Sequence, residues 1–298
     1  MALISAALKK AKGYSRNQTL TERVTDSDKK KSKEDRKRFD MSRPSRGASE
    51  RYLEKCGMTW RRVLERIETN DRSLGSINLR WCELGDEGAA RLATALETND
   101  NLRDVDLQHN QIGKEGAAHI AAALEKNSGV RELRLGNNHV GNEGAVRIAA
   151  ALEKNDSVRE IYLWNNQIGA EGAARLAAAL NKTNLAVLNL WANKIGDEGA
   201  ARLAAAVESN SVLHTLDITA TQTSDEGAAR LAAALEANKT LLKLYLSGND
   251  VGDETALVAA LGKNFALKEI NLRNNKLSDA SKDALRAIAD KTGKKVVL

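Results

Sequence analysis

From residue 74 onward the apolar positions recur in a fixed order. Segments beginning at Leu74, Leu102, Val130, Val158, Leu185, Leu213, Leu241 and Leu267 each read L-x-x-L-x-L-x-x-N-x-L, with steps of 28, 28, 28, 27, 28, 28 and 26 residues. The L-x-L centre alternates apolar and polar residues, which predicts a short strand with its leucines on one side. Each unit then continues as G-x-E-G-A-A-R-L-A-A-A-L-E-x-N, an alanine-rich stretch with helical spacing. One such unit cannot bury its apolar face alone, so eight of them predict a stacked array.

The polar positions add local expectations. Position nine is Asn110, Asn138, Asn166, Asn193, Asn249 and Asn275, and a buried Asn there can bond the turning backbone. Cys82 and Thr221 replace it in units one and six. Cys82 reads as a buried structural thiol, and Thr221 predicts an altered turn. Asp86, Asn142, Asp197, Asp225 and Asp253 fit N-caps of their own helices. Glu87–Arg91, Glu143–Arg147, Glu171–Arg175, Glu198–Arg202 and Glu226–Arg230 are spaced as exposed helical ion pairs. The competing reading of this arginine column is an anion-binding ladder. Residues 58–71 read as an N-terminal helical cap, 279–291 as the last helix, and the terminal KKVVL as a final strand.

From Leu74 to about residue 290 the chain resembles the ribonuclease-inhibitor-like class of leucine-rich repeats. The residues that carry the resemblance are the 28-residue period and the LxxLxLxxN–xIG–xEGAxxLAxAL signature. It implies an α/β fold: a right-handed solenoid, or horseshoe, with parallel strands inside and helices outside. The class includes NOD-like receptor sensing domains, Ran GTPase-activating proteins, tropomodulins and ciliary scaffold proteins, so it specifies fold rather than function. Ribonuclease inhibitor itself is cysteine-rich and matches poorly. The chain shows neither the nucleotide-binding domain of a complete NOD-like receptor nor the acidic tail of the Ran activators.

Charge divides the chain in two. Residues 1–50 hold 14 Lys/Arg and 7 Asp/Glu, a net of +7, and residues 51–298 hold 32 and 33, a net of −1. The total of +6 therefore belongs to the N-terminal segment. Residues 2–12 form a weak amphipathic helix pattern, with Ser and Thr frequent and no acid before Glu22, as in mitochondrial transit peptides. Residues 26–46 are too charged to bury a core. The expected organisation is a basic tail over 1–50, a helical cap over 51–71 and the repeat domain over 72–298. The tail reads as solvated or ordered by a partner, with targeting and contact to nucleic acid or an anionic membrane as alternatives. No apolar stretch is long enough for a transmembrane helix. Two cysteines exclude a disulfide scaffold and fit a reducing compartment, so the expected location is intracellular and cytoplasmic, with mitochondrial or cytoskeletal and ciliary alternatives.

Nothing in the sequence argues for catalysis. The four histidines, His109, His119, His139 and His214, fall at four different repeat positions in three units. There is no P-loop and no G-x-S-x-G. No metal, cofactor or small-molecule substrate is expected, and the sequons at Asn17, Asn155, Asn181 and Asn238 read as chance.

The variable positions are more informative. Residues three, five, seven and eight of each unit should line the concave side, 32 positions in all. A proportional share of the ten aromatic residues would be about one, yet five lie there: Trp81, Tyr162, Trp164, Trp191 and Tyr245. Trp164 and Trp191 share a position in adjacent units, so their indoles should stand side by side. With Tyr162, Tyr245, Arg134, Glu160 and Asn189 they have the composition of a binding hot spot. The alternative is that the rings fill the inner curve by packing on each other. Trp81 is expected to stand apart. The resulting expectation is a non-catalytic scaffold that binds a protein partner through this patch, with the basic tail as a second contact. A contact regulator of a GTPase and a subunit of a larger organellar or cytoskeletal assembly remain alternatives.

Overall fold

The computed structural model describes residues 60–298, so the expectations for the tail and for residues 51–59 lie outside the described residues. A first helix, α1 (Trp60–Glu68), precedes eight strand–helix units. These are β1 (Ser76–Asn78) with α2 (Gly85–Leu96), β2 (Asp104–Asp106) with α3 (Lys114–Leu124), and β3 (Glu132–Arg134) with α4 (Gly141–Leu152). Next come β4 (Glu160–Tyr162) with α5 (Ala170–Leu180), β5 (Val187–Asn189) with α6 (Gly196–Ser209), and β6 (Thr215–Asp217) with α7 (Asp225–Ala237). The array closes with β7 (Lys243–Tyr245), α8 (Thr255–Lys263), β8 (Glu269–Asn271), α9 (Asp279–Thr292) and β9 (Lys295–Val297).

All nine strands form one parallel sheet in chain order. The register never slips: Ser76 pairs with Asp104, Asp104 with Glu132 and Glu132 with Glu160, and so on to Lys295. Helices pack behind the sheet. Strand leucines such as Leu133 and Leu188 meet helix residues such as Ile148 and Leu176 in one continuous core. Strands stack about 4.8 Å apart, while packed helices need roughly 8–10 Å. Helices on the back and strands on the front therefore curve the array with its strands inside. The alanines keep the helical layer close. Val63 and Ile67 of α1 extend the core at one end, and β9 supplies the final strand at the other.

Two asparagine ladders stitch the units together. Asn138 Nδ2 donates to the carbonyls of Leu107 (3.0 Å) and Leu135 (2.8 Å), and its Oδ1 accepts from the amides of Asn110 (2.9 Å) and Ile112 (3.0 Å). Position nine thus serves the preceding unit's turn as well as its own. A second ladder, just after α2, α3, α4, α6, α7 and α8, uses Asn99, Asn127, Asn155, Asn210, Asn238 and Asn264, with Thr183 in that place after α5. Asn127, for example, donates to the carbonyls of Leu96 and Asn99 at 2.7 Å and accepts from Gly129 and Val130.

Several local expectations change. Asp86 does not cap its own helix: its Oδ1 accepts from the amides of Gly113 (2.6 Å) and Gly116 (2.9 Å), at the start of α3 in the next unit. Asn142 does the same for Gly169 and Gly172, Asp197 for Ser224 and Gly227, and Asp225 for Gly252 and Asp253. Only Asp253 serves its own helix, accepting from Thr255 at 2.8 Å. Helix starts accordingly alternate. The segments α2, α4 and α6 begin at left-handed glycines (Gly85, Gly141, Gly196), whereas α3, α5 and α7 follow extended residues capped from the unit before. Of the five Glu–Arg pairs, only Glu87–Arg91 closes among the described residues, at 2.6 Å. The exposed helix ends are instead linked between units, as in Lys126–Glu97 (2.8 Å), Lys154–Glu125 (2.8 Å) and Lys182–Glu153 (3.0 Å). The turn at Thr221 is not altered. Ala220 and Gln222 keep the left-handed φ values of +53° and +66°, matching Asn165 and Gln167 at +50° and +60°. Thr221 Oγ1 replaces part of the Asn function by donating to Ile218 O at 2.7 Å.

Candidate protein-binding face

The exposed side of the sheet is built from positions three and five of each strand and from positions seven and eight of the turn that follows. Position four points into the core, and its neighbours are left half-exposed. Position eight is left-handed in every unit: Trp81, His109, Asn137, Asn165, Ala192, Ala220, Gly248 and Asn274 have φ between +50° and +69°. Asn and Gly tolerate that conformation, whereas a bulky residue adopts it at a cost of about 1–2 kcal/mol. Trp81, at φ +62°, is the bulkiest residue in the column.

Trp81 does not stand apart. Its ring stacks on His109 with centroids 3.6 Å apart and planes 13° apart. His109 in turn meets the edge of Trp164 at 5.3 Å and 69°. Trp164 stacks beside Trp191 at 5.2 Å and 28°. A row of four rings therefore runs across units one to five. Unit three contributes no ring. Instead its Gly136 leaves room for the Trp164 indole, whose Nε1 lies 2.0 Å from where a Cβ on Gly136 would sit. Sequence reasoning missed His109 and Gly136. The signal was present: His109 shares its column with Trp81, and the smallest residue of the Trp164–Trp191 column stands next to Trp164.

Beside this row lies a charged patch. Asp104, Glu132 and Glu160 face one another at position three of β2, β3 and β4, and Asp106, Arg134 and Tyr162 at position five. Arg134 pairs closely with Glu132 and lies 5.6 Å from the Tyr162 ring centroid. The Tyr162 hydroxyl donates to Glu160 at 2.7 Å. Arg80 reaches Asp106 at 3.1 Å and donates to Gln108 at 2.6 Å. Burial pushes the Glu132 carboxyl up to about 7; Arg134 opposes this, and Glu160, Asp104 and Asp106 reinforce it. Burial also raises Asp106, against the pull of Arg80. The Tyr162 hydroxyl is raised by burial and by its bond to Glu160.

The remaining residues are placed as follows. Asn189 donates to Asp217 at 2.9 Å and accepts from the Trp191 amide at 3.1 Å, so it braces the second indole. Tyr245 occupies the same register position as Tyr162 but three strands on, past Asn189 and Asp217. The structure therefore brings Tyr162, Trp164, Trp191, Arg134, Glu160 and Asn189 together and sets Tyr245 apart, at roughly 14 Å by strand spacing. Cys82 is half-buried, and burial raises its thiol to about 11, which makes it a poor nucleophile. Among the described residues no group of His, Cys, Asp and Glu could hold a metal ion, and no helix is long and apolar enough to cross a membrane.

A family model described as leucine-rich repeat matches residues 70–93, 98–121, 126–149, 181–204 and 237–256. These segments fall on the units seen in the fold. This is a leucine-rich-repeat protein. Two solved structures resemble part of the repeat array. One is leiomodin-1 actin-binding site 2, with 27% identity and a TM-score of 0.41, covering 43% of this chain and 76% of that one. The other is the tropomodulin C-terminal domain of Caenorhabditis elegans, with 17% identity and a TM-score of 0.44, covering 51% and 92%. No curated protein matches the sequence significantly.

Proposed function

We propose that the protein is a non-catalytic scaffold whose strand face binds a protein partner. The contact is centred on Trp164 and Trp191, with Tyr162, Arg134, Glu160 and Asn189 around them, Tyr245 further along, and the basic segment 1–50 as a second contact. The row of four rings carries this reading. Large half-exposed rings on a rigid frame lose little entropy on binding, and clustered Trp, Tyr and Arg typify interface hot spots. The strained backbone at Trp81 supports it further, because the fold keeps a bulky ring where Asn or Gly would fit without cost. The helical second halves and the 28-residue period support the ribonuclease-inhibitor-like class.

The test is affinity capture with quantitative mass spectrometry, comparing the parent protein with the variant Trp164→Ala plus Trp191→Ala. Half-exposed rings leave the core intact when truncated, so the circular dichroism spectrum should be unchanged while partner capture is lost. Capture that survives the double substitution overturns the proposal.

A further inference from the structure

On the first four units of the strand face, four carboxylates (Asp104, Asp106, Glu132, Glu160) meet two guanidiniums (Arg80, Arg134). With all four ionised, four minus two leaves a surplus of two negative charges. Three further arginines stand nearby but are turned elsewhere. The Nη1 groups of Arg103, Arg131 and Arg159, just before β2, β3 and β4, donate to the loop carbonyls of Asp100, Ser157 and Asp156. The two ion pairs on the face are also imperfect: Arg80 Nε and Glu132 Oε1 are buried without an aligned hydrogen bond. Crowded, half-buried carboxylates with too few cations hold their charge at a cost. A cation arriving from outside lowers that cost, and an anion raises it. The neighbouring indoles and Tyr162 favour the same guest, because aromatic faces attract cations.

We propose that the partner's docking segment is cationic, its Lys or Arg side chains meeting Glu132 and Glu160 beside Trp164 and Trp191. This rests on the protein-binding reading above and narrows it. Acidic segments and nucleic-acid backbones are disfavoured, since both bring negative charge to a face that already has too much.

The full chain is titrated with a fluorescein-labelled Arg-Gly-Ser repeat peptide and, separately, with its Glu-Gly-Ser counterpart, and binding is read by anisotropy. The cationic peptide should bind and the acidic one should not. Glu132→Gln plus Glu160→Gln should weaken the cationic peptide by about tenfold or more. A charge-matched variant on the helical face, Glu115→Gln plus Glu226→Gln, should barely change it. Equal loss in both variants would reveal general charge attraction and overturn the inference, as would equal binding of the two peptides. Partner capture separates this result from the broader reading. Capture lost in the Trp164/Trp191 variant but retained in the Glu132/Glu160 variant refutes the cationic segment and leaves the binding face standing. Capture unchanged in the tryptophan variant refutes the face itself.

Discussion

Replacing Asn138 with Ala removes, besides a long contact to Gly136 O at 3.4 Å, four hydrogen bonds of 3.0 Å or less from a side chain only 2% exposed. The four partners do not suffer equally. The carbonyls of Leu107 and Leu135 each keep a second donor, from Asn110 at 2.9 Å and from Asn166 at 2.8 Å. The amides of Asn110 and Ile112 have Asn138 Oδ1 as their acceptor and are left buried without it. Each orphaned amide costs about 1–3 kcal/mol, so the loss should be about 2–6 kcal/mol. A domain is stable by only about 5–15 kcal/mol, so this is a large share. Repeat arrays do not always unfold in one step. Urea denaturation should therefore be paired with amide exchange, which should accelerate first at Asn110 and Ile112. Asn275→Ala, at a half-exposed position near the array's end, should cost clearly less. A loss below about 1 kcal/mol at Asn138, or unchanged exchange at those two amides, would refute the claim that the ladder satisfies the turns.

Three further outcomes follow from the same geometry. Gly136→Ala places a methyl on the Trp164 indole, so tryptophan emission should shift and the His109 ring resonances should move, while the denaturation midpoint changes little. Asp197→Ala should cost about 1 kcal/mol by removing the acceptor of the Ser224 and Gly227 amides at the start of α7. Burial raises the Asp197 carboxyl, but the bonds from Ser224 and Gly227 outweigh it and leave it lowered. The difference between parent and variant should therefore be full above the ordinary carboxylate range and fade as pH falls through the folded value, in pH-dependent denaturation. Glu132 has the opposite sign. Its folded value of about 7 lies above the ordinary 4.5, so its contribution is intact below 4.5 and is lost as pH rises through 7. Glu132→Gln should accordingly gain on the parent above pH 7 and show no gain in acid, and an equal effect at both extremes would refute the burial account.

The strands and helices were legible in the sequence because a repeated pattern fixes both the period and the inward face. Position nine was legible for the same reason. The side chains that act between units were not. Asp86 sits where a cap residue belongs, and nothing local shows that its carboxylate turns to the next helix. The Glu–Arg spacing is right for helical pairs, but it does not show that Glu143 is taken by Lys114 of the preceding helix at 2.8 Å, or that the helix-end lysines pair with a separate set of glutamates. Trp81 reads as isolated only while the imidazole of His109, at the same position of the next unit, is not counted as a ring; the two stack at 3.6 Å. The Trp164–Trp191 neighbourhood could be read because two like positions in adjacent units must lie side by side.

The alternation of helix starts sets how such an array can change length. A unit that begins at a left-handed glycine supplies the cap for its successor, and that successor begins from an extended residue. Excising one unit from the first five brings two ends of the same kind together, so that either a cap has no amide to receive or an amide has no cap. Excising two adjacent units restores the match. The module that keeps every cap matched is therefore the pair, and variants that grow or shrink by pairs should be more stable, by about 1 kcal/mol per matched cap, than those changed by single units.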